Sequence, residues 1–378
     1  MRILHVVPYS DMSNGGPVVA VRNLVLATLF ENPAAQVSVA TIFDKRKSPI
    51  DCGFREIEDV SSILRFDGSF PAVFNYSRTM NRWLRWNVSR FDVVHLHVPL
   101  TFCNVFAGLL CEQKQIPYVI SPHGCLDKWS VRTKSLKKSV FMTFFGHRLI
   151  EASSSIHVTS NFEDKNLTIF ESSVPRKVIG LPIWFSDLKS NIKNNYDRNL
   201  SLISVARIDR VKNFELLFHA LKILKDRGIQ FEFKIVGDGD DRYKNELLQL
   251  SSHLGLDGQV IWLGQVPPAE VRKLLCSSSC FLSGSRHENF GLAAVEALAL
   301  GIPAVLSDQV AIASDVNRFG AGYMVPLGDP RSFADAIENV HNPKSYYSFC
   351  SQAEKYATEN YSLAASGRLI CDMYRSVI

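Results

Sequence analysis

The sequence predicts an α/β protein built from two Rossmann-like, doubly wound domains that face a cleft. Short apolar runs alternate with amphipathic stretches along the chain, the pattern of βαβ units and a parallel sheet. That rhythm lapses once, over a polar stretch rich in Asn, Lys and Asp at residues 186–199, and then restarts. The chain has 378 residues, enough for two domains that each bury a core.

In the first half the apolar runs predict strands at 2–7, 36–43, 92–97, 117–121, 155–159 and 177–181, with helices in the gaps. The first helix is expected to start at Pro17, since proline suits the first helical position. Residues 1–185 form one domain and 186–199 the linker. The second domain, 200–360, repeats the rhythm with strands at 200–205, 231–236, 260–263, 280–283, 303–306 and 322–325, and the chain is mainly helical from Pro330 onward. Doubly wound sheets bind ligands at the carboxyl ends of their strands, so the crevice between facing domains is the expected site.

A content of 46% hydrophobic and 21% charged residues is ordinary for a soluble globular protein. The net charge of +5 is uneven. Residues 1–183 hold 21 Lys and Arg against 15 Asp and Glu, whereas the remainder holds 21 against 22. This modest basic bias points to an anionic partner for the first half, such as a lipid head group or a phosphorylated acceptor, and no nucleic-acid motif accompanies it. Within residues 128–150, Lys128, Arg132, Lys134, Lys137, Lys138 and Arg148 occur with no acidic residue, and the apolar residues fall near one helical face. The stretch reads either as a core-packed helix with a solvated basic face or as a peripheral contact with an anionic membrane or a lipid-diphosphate acceptor.

The apolar N-terminus is too short for a signal peptide, and the run at 290–306 is interrupted by Glu296, Gly301 and Pro303. The eight cysteines include no C-x-x-C pair and sit mostly in apolar stretches, as reduced core cysteines do. These features predict a cytoplasmic protein, with peripheral placement at the inner face of the plasma membrane as an option, and no metal site.

Four motifs follow predicted strands. Ser285-Arg286-His287-Glu288-Asn289-Phe290-Gly291-Leu292, continuing to Glu296, opens a helical stretch. Glutamates eight positions apart on a helix are separated by about 12 Å along its axis, so one ligand the length of a nucleotide-sugar could touch both. The backbone N–H groups of residues 289–292 would form an anion site at the helix mouth. In Val205-Ala206-Arg207-Ile208-Asp209-Arg210-Val211-Lys212-Asn213, Arg207 and Lys212 flank a strand-to-helix loop where cations can meet phosphate oxygens. Asn14-Gly15-Gly16-Pro17 permits close approach to a ligand, though it is also ordinary turn chemistry. Ser121-Pro122-His123-Gly124 would point a histidine at the cleft.

Plainer readings stand beside each. The glutamates could be solvated helix carboxylates, although Glu296 has mostly apolar neighbours. Arg207 and Lys212 could be surface ion-pair residues, and His123 a satisfied core or turn histidine.

Together and in this order, the four motifs resemble the retaining glycosyltransferases of the GT-B fold, in the large family four that builds bacterial polysaccharides. The resemblance covers nearly the whole chain and is strongest over residues 200–326. It implies a hexosyltransferase that uses a nucleotide-sugar, UDP-glucose or a related UDP-hexose, and a saccharide or lipid-linked acceptor. It implies no cofactor and a metal-independent front-face mechanism. Arg207 and Lys212 would bind the donor diphosphate, Glu288 the sugar hydroxyls, and Asn289, Phe290, Gly291 and Leu292 the sugar and phosphate through their backbone. Glu296 would bind the ribose, Gly16 would approach the distal phosphate, and His123 would contact the sugar near the reacting carbon. The base would lie near Gly237 and Val266, and the helix after Tyr361, about 361–378, would pack back on the first domain. Two departures stand out: Asp308 to Asp315 where the family often has a Gly-rich segment with a glutamate, and Ala206 where many members have glycine. A GDP-mannose-dependent mannosyltransferase, a GT-B sugar-nucleotide enzyme of another reaction class and a non-catalytic binding module remain as alternatives. A nicotinamide-dependent dehydrogenase lacks its G-x-G-x-x-G.

Overall fold

In the computed structural model, the first strand, β1 (Arg2–Val7), is buried throughout after its first residue. A parallel strand covered on both faces needs this continuous apolar character. It pairs on one side with β2 (Gln36–Phe43), which pairs in turn with β3 (Ser62–Asp67). On its other side lie β4 (Val93–His97), β5 (Tyr118–Ser121), β6 (Ser155–Val158) and β7 (Arg176–Val178). The order is β3-β2-β1-β4-β5-β6-β7 and every pairing is parallel. The second sheet holds β8 (Leu200–Val205), β9 (Phe231–Val236), β10 (Val260–Gly264), β11 (Cys280–Ser283), β12 (Ala304–Ser307) and β13 (Gly322–Val325) in the order β10-β9-β8-β11-β12-β13, also all parallel. In each sheet the order reverses beside the first strand, at β1/β4 and at β8/β11, which is where such sheets open a ligand crevice.

The structure describes residues 1–11, 16–43, 53–69, 75–127, 145–167, 172–184 and 200–378. The expected linker at 186–199, Asn14 and Gly15, and residues 128–144 of the basic segment lie outside them. The chain divides into two compact units, Met1–Trp184 with Tyr361–Ile378, and Phe185–Asn360. Among the described residues no helix is long and apolar enough to cross a membrane.

Strands β4, β5, β6 and β10 differ from the expected limits by a single residue at one end, and β12 by a single residue at each end. Three other details also depart from the sequence expectation. The first helix starts at Gly16 (Gly16–Glu31) instead of Pro17. Strand β7 ends at Val178, short of the expected 181. Strand β3 was not expected at all; it is an edge strand with no fully buried residue, so it lacks the apolar run that marks its neighbours.

One face of the first sheet packs Ile3, Val7 and Val93 against Val21 and Leu24 of the first helix and Ile370 and Tyr374 of the last, Leu363–Arg375. Ser362 caps that last helix by accepting a hydrogen bond from the Ala365 N–H at 3.2 Å. Gly367 lets the two helices approach closely, because a Cβ there would lie 2.5 Å from the carbonyl oxygen of Ala27. Gly367→Val is therefore expected to destabilise the first unit by about 1–3 kcal/mol through overpacking. A melting temperature equal to the wild type's would contradict the close approach. The second unit has its own core, centred on Leu202, Phe214, Phe218, Phe233 and Ile337.

Candidate active site

In the second unit, the loops after β8 and β11 flank the switch point and are stitched together. Asp209 accepts a hydrogen bond from the Val211 N–H at 3.0 Å and so caps the short turn Arg210–Lys212. Asn213 follows in the left-handed region at φ 52, a conformation asparagine tolerates better than most residues. Its buried side chain donates to the Gly284 carbonyl at 3.0 Å and accepts from Arg286 Nη2 at 2.8 Å. The Arg286 N–H donates to the Val211 carbonyl at 2.7 Å. Lys212 Nζ then forms an ion pair with Glu288 Oε2, both side chains being partly buried. Arg207 instead extends outward, with Nη2 3.3 Å from Asp209 Oδ2. Asn213, Asp209 and Arg286 stand within the sequence motifs without a local sign of their role; the side chains that join the two loops become evident only once β8 and β11 are neighbours.

The expectation of Glu288 at the helix mouth with Glu296 two turns deeper is corrected in its spacing: Glu288 stands ahead of the helix and Glu296 one turn into it. Gly291 takes φ 87, so the helix begins at Leu292 (Leu292–Ala299) and Glu288 precedes it on a loop. That loop is pinned by the segment after β12: the Glu288 N–H donates to Gln309 O at 3.0 Å, and the Ala311 N–H donates to Glu288 O at 2.9 Å. The unusual segment from Asp308 thus positions Glu288 through its backbone, which needs no particular side chain. No side chain caps the helix at Gly291, so the first-turn N–H groups around Leu292 form an open helix mouth suited to an anion. Phe290 is buried, Asn289 is half-buried, and Glu296 lies one turn into the helix, also half-buried.

Gly237 (φ 133) follows β9, and Val266, half-buried, follows β10. A Cβ at Gly237 would stand 2.0 Å from the Ala206 carbonyl oxygen, so this glycine is required by the turn that carries Arg207. Contrary to the expectation that no Asp-x-Asp metal motif occurs, the chain holds one, Asp238-Gly239-Asp240. Asp238 lies 3.3 Å from Lys244 Nζ, and Asp240 caps the helix Asp241–His253 through the Tyr243 N–H at 2.7 Å, so both carboxylates are engaged locally.

In the first unit, His123 follows β5 at φ 48, a strained conformation for a residue with a side chain. Its neighbour Gly124 donates its N–H to the buried Glu163 at 2.8 Å, and Glu163 also accepts from the Thr159 N–H at 2.7 Å and Oγ1 at 2.8 Å. Burial raises the Glu163 pKa, against the hydrogen bonds that favour its anion. Gly16 is exposed at the start of its helix, and a Cβ there would meet nothing within 4 Å, so packing does not demand a glycine.

Behind His123 lies a cluster that sequence reasoning missed. His5 on β1, His95 and His97 on β4, and His157 on β6 are all fully buried. Burial lowers their pKa values, to about 3 for His5 and about 4 for His157, and it lowers His123 to about 3. Ligating atoms of His5, His95 and His97 lie within 4.8 Å of one another, a spacing that could suit a metal. Both ring nitrogens of His95 and His97 are already hydrogen-bonded, however, so the cluster reads as a neutral hydrogen-bond network.

The two doubly wound sheets define the GT-B class of fold. The solved structure of Anabaena HepE in complex with UDP and glucose matches all of both chains with a TM-score of 0.78 at 17% identity. The chain belongs to the group 1 and family 4 glycosyltransferases: the model for "Glycosyl transferases group 1" matches residues 186–359, and that for "Glycosyltransferase Family 4" matches residues 15–179. It is a glycosyltransferase. Among relatives, a glycosyltransferase of Methanocaldococcus jannaschii is 26% identical over 294 residues, 73% of each chain. The amylovoran biosynthesis glycosyltransferase AmsK of Erwinia amylovora is 30% identical over 141 residues, 36% of this chain and 34% of its own length.

Proposed function

We propose that this chain is a retaining hexosyltransferase of polysaccharide biosynthesis, moving glucose or a related hexose from a UDP-linked donor to a saccharide or lipid-linked acceptor. The observation that carries the reading is the Lys212–Glu288 pair beside the open mouth of the helix Leu292–Ala299, at the β8/β11 switch point. A cation and a helix mouth together suit a pyrophosphate, and the adjacent carboxylate suits sugar hydroxyls. The choice of UDP-glucose is supported by the UDP and glucose bound to HepE, and the polysaccharide role by the name of the Erwinia relative. The basic excess of residues 1–183 suits an anionic, lipid-linked acceptor at the inner membrane face.

In the proposed reaction the bond between the anomeric carbon and the phosphate oxygen breaks while the acceptor oxygen bonds to the same face of that carbon. The acceptor proton passes to the departing phosphate oxygen. Lys212 and Arg207, with the backbone of Asn289, Phe290, Gly291 and Leu292, stabilise the leaving UDP. Glu288 orients the sugar, Glu296 holds the ribose, and Gly237 and Val266 line the base. Gly16 admits the distal phosphate and His123 contacts the sugar. Two cations and a helix mouth supply the positive charge the leaving group needs, so the reaction is assigned no metal or other cofactor.

A thermal-shift screen against UDP-, GDP- and ADP-sugars tests this. UDP-glucose or another UDP-hexose is expected to raise the melting temperature, since ligand at 100 times Kd stabilises by about 2.7 kcal/mol. A shift with GDP-mannose alone would make the chain a mannosyltransferase, and no shift with any nucleotide-sugar would overturn the reading.

A further inference from the structure

The order β1-β4-β5-β6 brings five histidines that are far apart in sequence into two hydrogen-bonded chains. The first chain has one consistent proton arrangement. His157 Nε2 lies 2.8 Å from the Ile179 carbonyl oxygen, which can only accept, so Nε2 carries the proton. Neutral His157 must then accept at Nδ1 from the Ser121 hydroxyl at 2.8 Å. Ser121 Oγ accepts in turn from His95 Nε2–H at 2.7 Å, and His95 Nδ1 accepts from the Tyr374 hydroxyl at 2.8 Å.

The second chain runs from His5 Nδ1 to His97 Nε2 at 2.9 Å, and from His97 Nδ1 to His123 Nε2 at 2.9 Å. A neutral imidazole has one donor and one acceptor, so only two arrangements satisfy both contacts. If His123 donates to His97 and His97 donates to His5, the proton of His5 moves to Nε2, which is buried with no partner. In the reverse arrangement His5 donates to His97 and His97 donates to His123, leaving only a bare lone pair at that nitrogen. Buried orphan N–H groups are the rarer of the two.

We infer that His97 and His5 are positioning residues that hold His123 as its Nδ1–H tautomer, so that its ring offers a donor, not an acceptor, to a hydroxyl or phosphate oxygen of the bound nucleotide-sugar. No described residue hydrogen-bonds His123 Nδ1, and His123 is the one member of the second chain that is partly exposed. The role in transfer rests on the proposed contact between His123 and the sugar; the tautomer does not.

Two-bond 1H–15N NMR on histidine-labelled wild-type protein at pH 7.5 reads the tautomer without substrate, with His123→Gln assigning the signal. A protonated Nδ1 and a bare Nε2 are expected at His123, and the opposite pattern overturns the inference. Steady-state kinetics with the UDP-hexose found by thermal shift test the role. His97→Leu removes the partner of His123 Nε2 and is expected to lower kcat by about 10- to 100-fold with little change in KM. His97→Asn places an amide N–H near the lost Nδ1–H and is expected to restore kcat to within about threefold of wild type. Equal kcat losses in the two variants would overturn the positioning role. A wild-type protein with no turnover on any nucleotide-sugar would overturn the functional reading instead, and the NMR result would still decide the tautomer.

Discussion

Lys212→Ala is expected to lower kcat by about 10²- to 10³-fold, the loss of about 2.7–4 kcal/mol that follows removal of one preorganised group facing a developing negative charge. Lys212 is partly buried, so its charge acts in a less screened setting than that of the exposed Arg207. In the proposed site its removal would leave the pyrophosphate to Arg207 and the helix mouth, and it leaves Glu288 without its cation. The fold should survive. The Asp209 cap, the Asn213 bonds to Gly284 and Arg286, and the backbone bond from Arg286 to Val211 all hold the loop without Lys212. Lys212→Arg keeps the charge but exchanges a compact ammonium for a planar fork, and it should recover only part of the loss. The measurement is steady-state turnover with the donor found by thermal shift, beside circular dichroism to confirm folding. Wild-type turnover in a folded Lys212→Ala protein would remove the phosphate role and the proposed mechanism with it.

What the sequence makes legible follows from which forces are local. Strands that bury apolar residues announce themselves as apolar runs, as in β1 and β11, or as apolar alternation, as in β9, and β1, β2, β8, β9, β11 and β13 have the expected limits. Strand β3 is held by its pairing with β2 and is half-exposed, so no local pattern reports it. At the site, the order of Arg207, Lys212, Glu288 and Glu296 along the chain was legible. The Lys212–Glu288 pair spans 76 positions and depends on β8 lying next to β11, which no window of sequence contains. The signal that Glu288 is not helical was present in Gly291, a residue that can take the left-handed conformation and so break the helix ahead of Leu292. The histidine cluster was legible only in part. His5, His95, His97 and His157 each fall within a run expected to be a buried strand, and a histidine in such a run needs a partner. Which partner it finds depends on strand order.

That same cluster makes the first unit sensitive to acid. His5, His95, His97 and His157 are buried and neutral, with pKa values held below the ordinary 6.5 first by loss of solvation. In the unfolded chain each protonates near pH 6.5. Between that value and its lowered native pKa, the unfolded state binds more protons, so stability falls as pH falls. Above pH 6.5 the effect vanishes. Each histidine contributes about 1.4 kcal/mol per pH unit inside the window, or about 2 kcal/mol by pH 5. All four act in the same direction, so their effects on stability reinforce one another as the pH falls. Glu163 acts in the opposite sense, because its raised native pKa makes the folded state gain protons on acidification, but it is one group against these four and His123, which is lowered to about 3 in the same way. Calorimetry between pH 7.5 and pH 5 should therefore show the transition of the first unit moving sharply down in temperature. His157→Gln, which keeps hydrogen-bonding capacity without a titrating ring, should flatten the dependence by about one proton. If the wild-type transition holds its temperature across that range, the histidines are not buried in neutral form and the network does not exist as described.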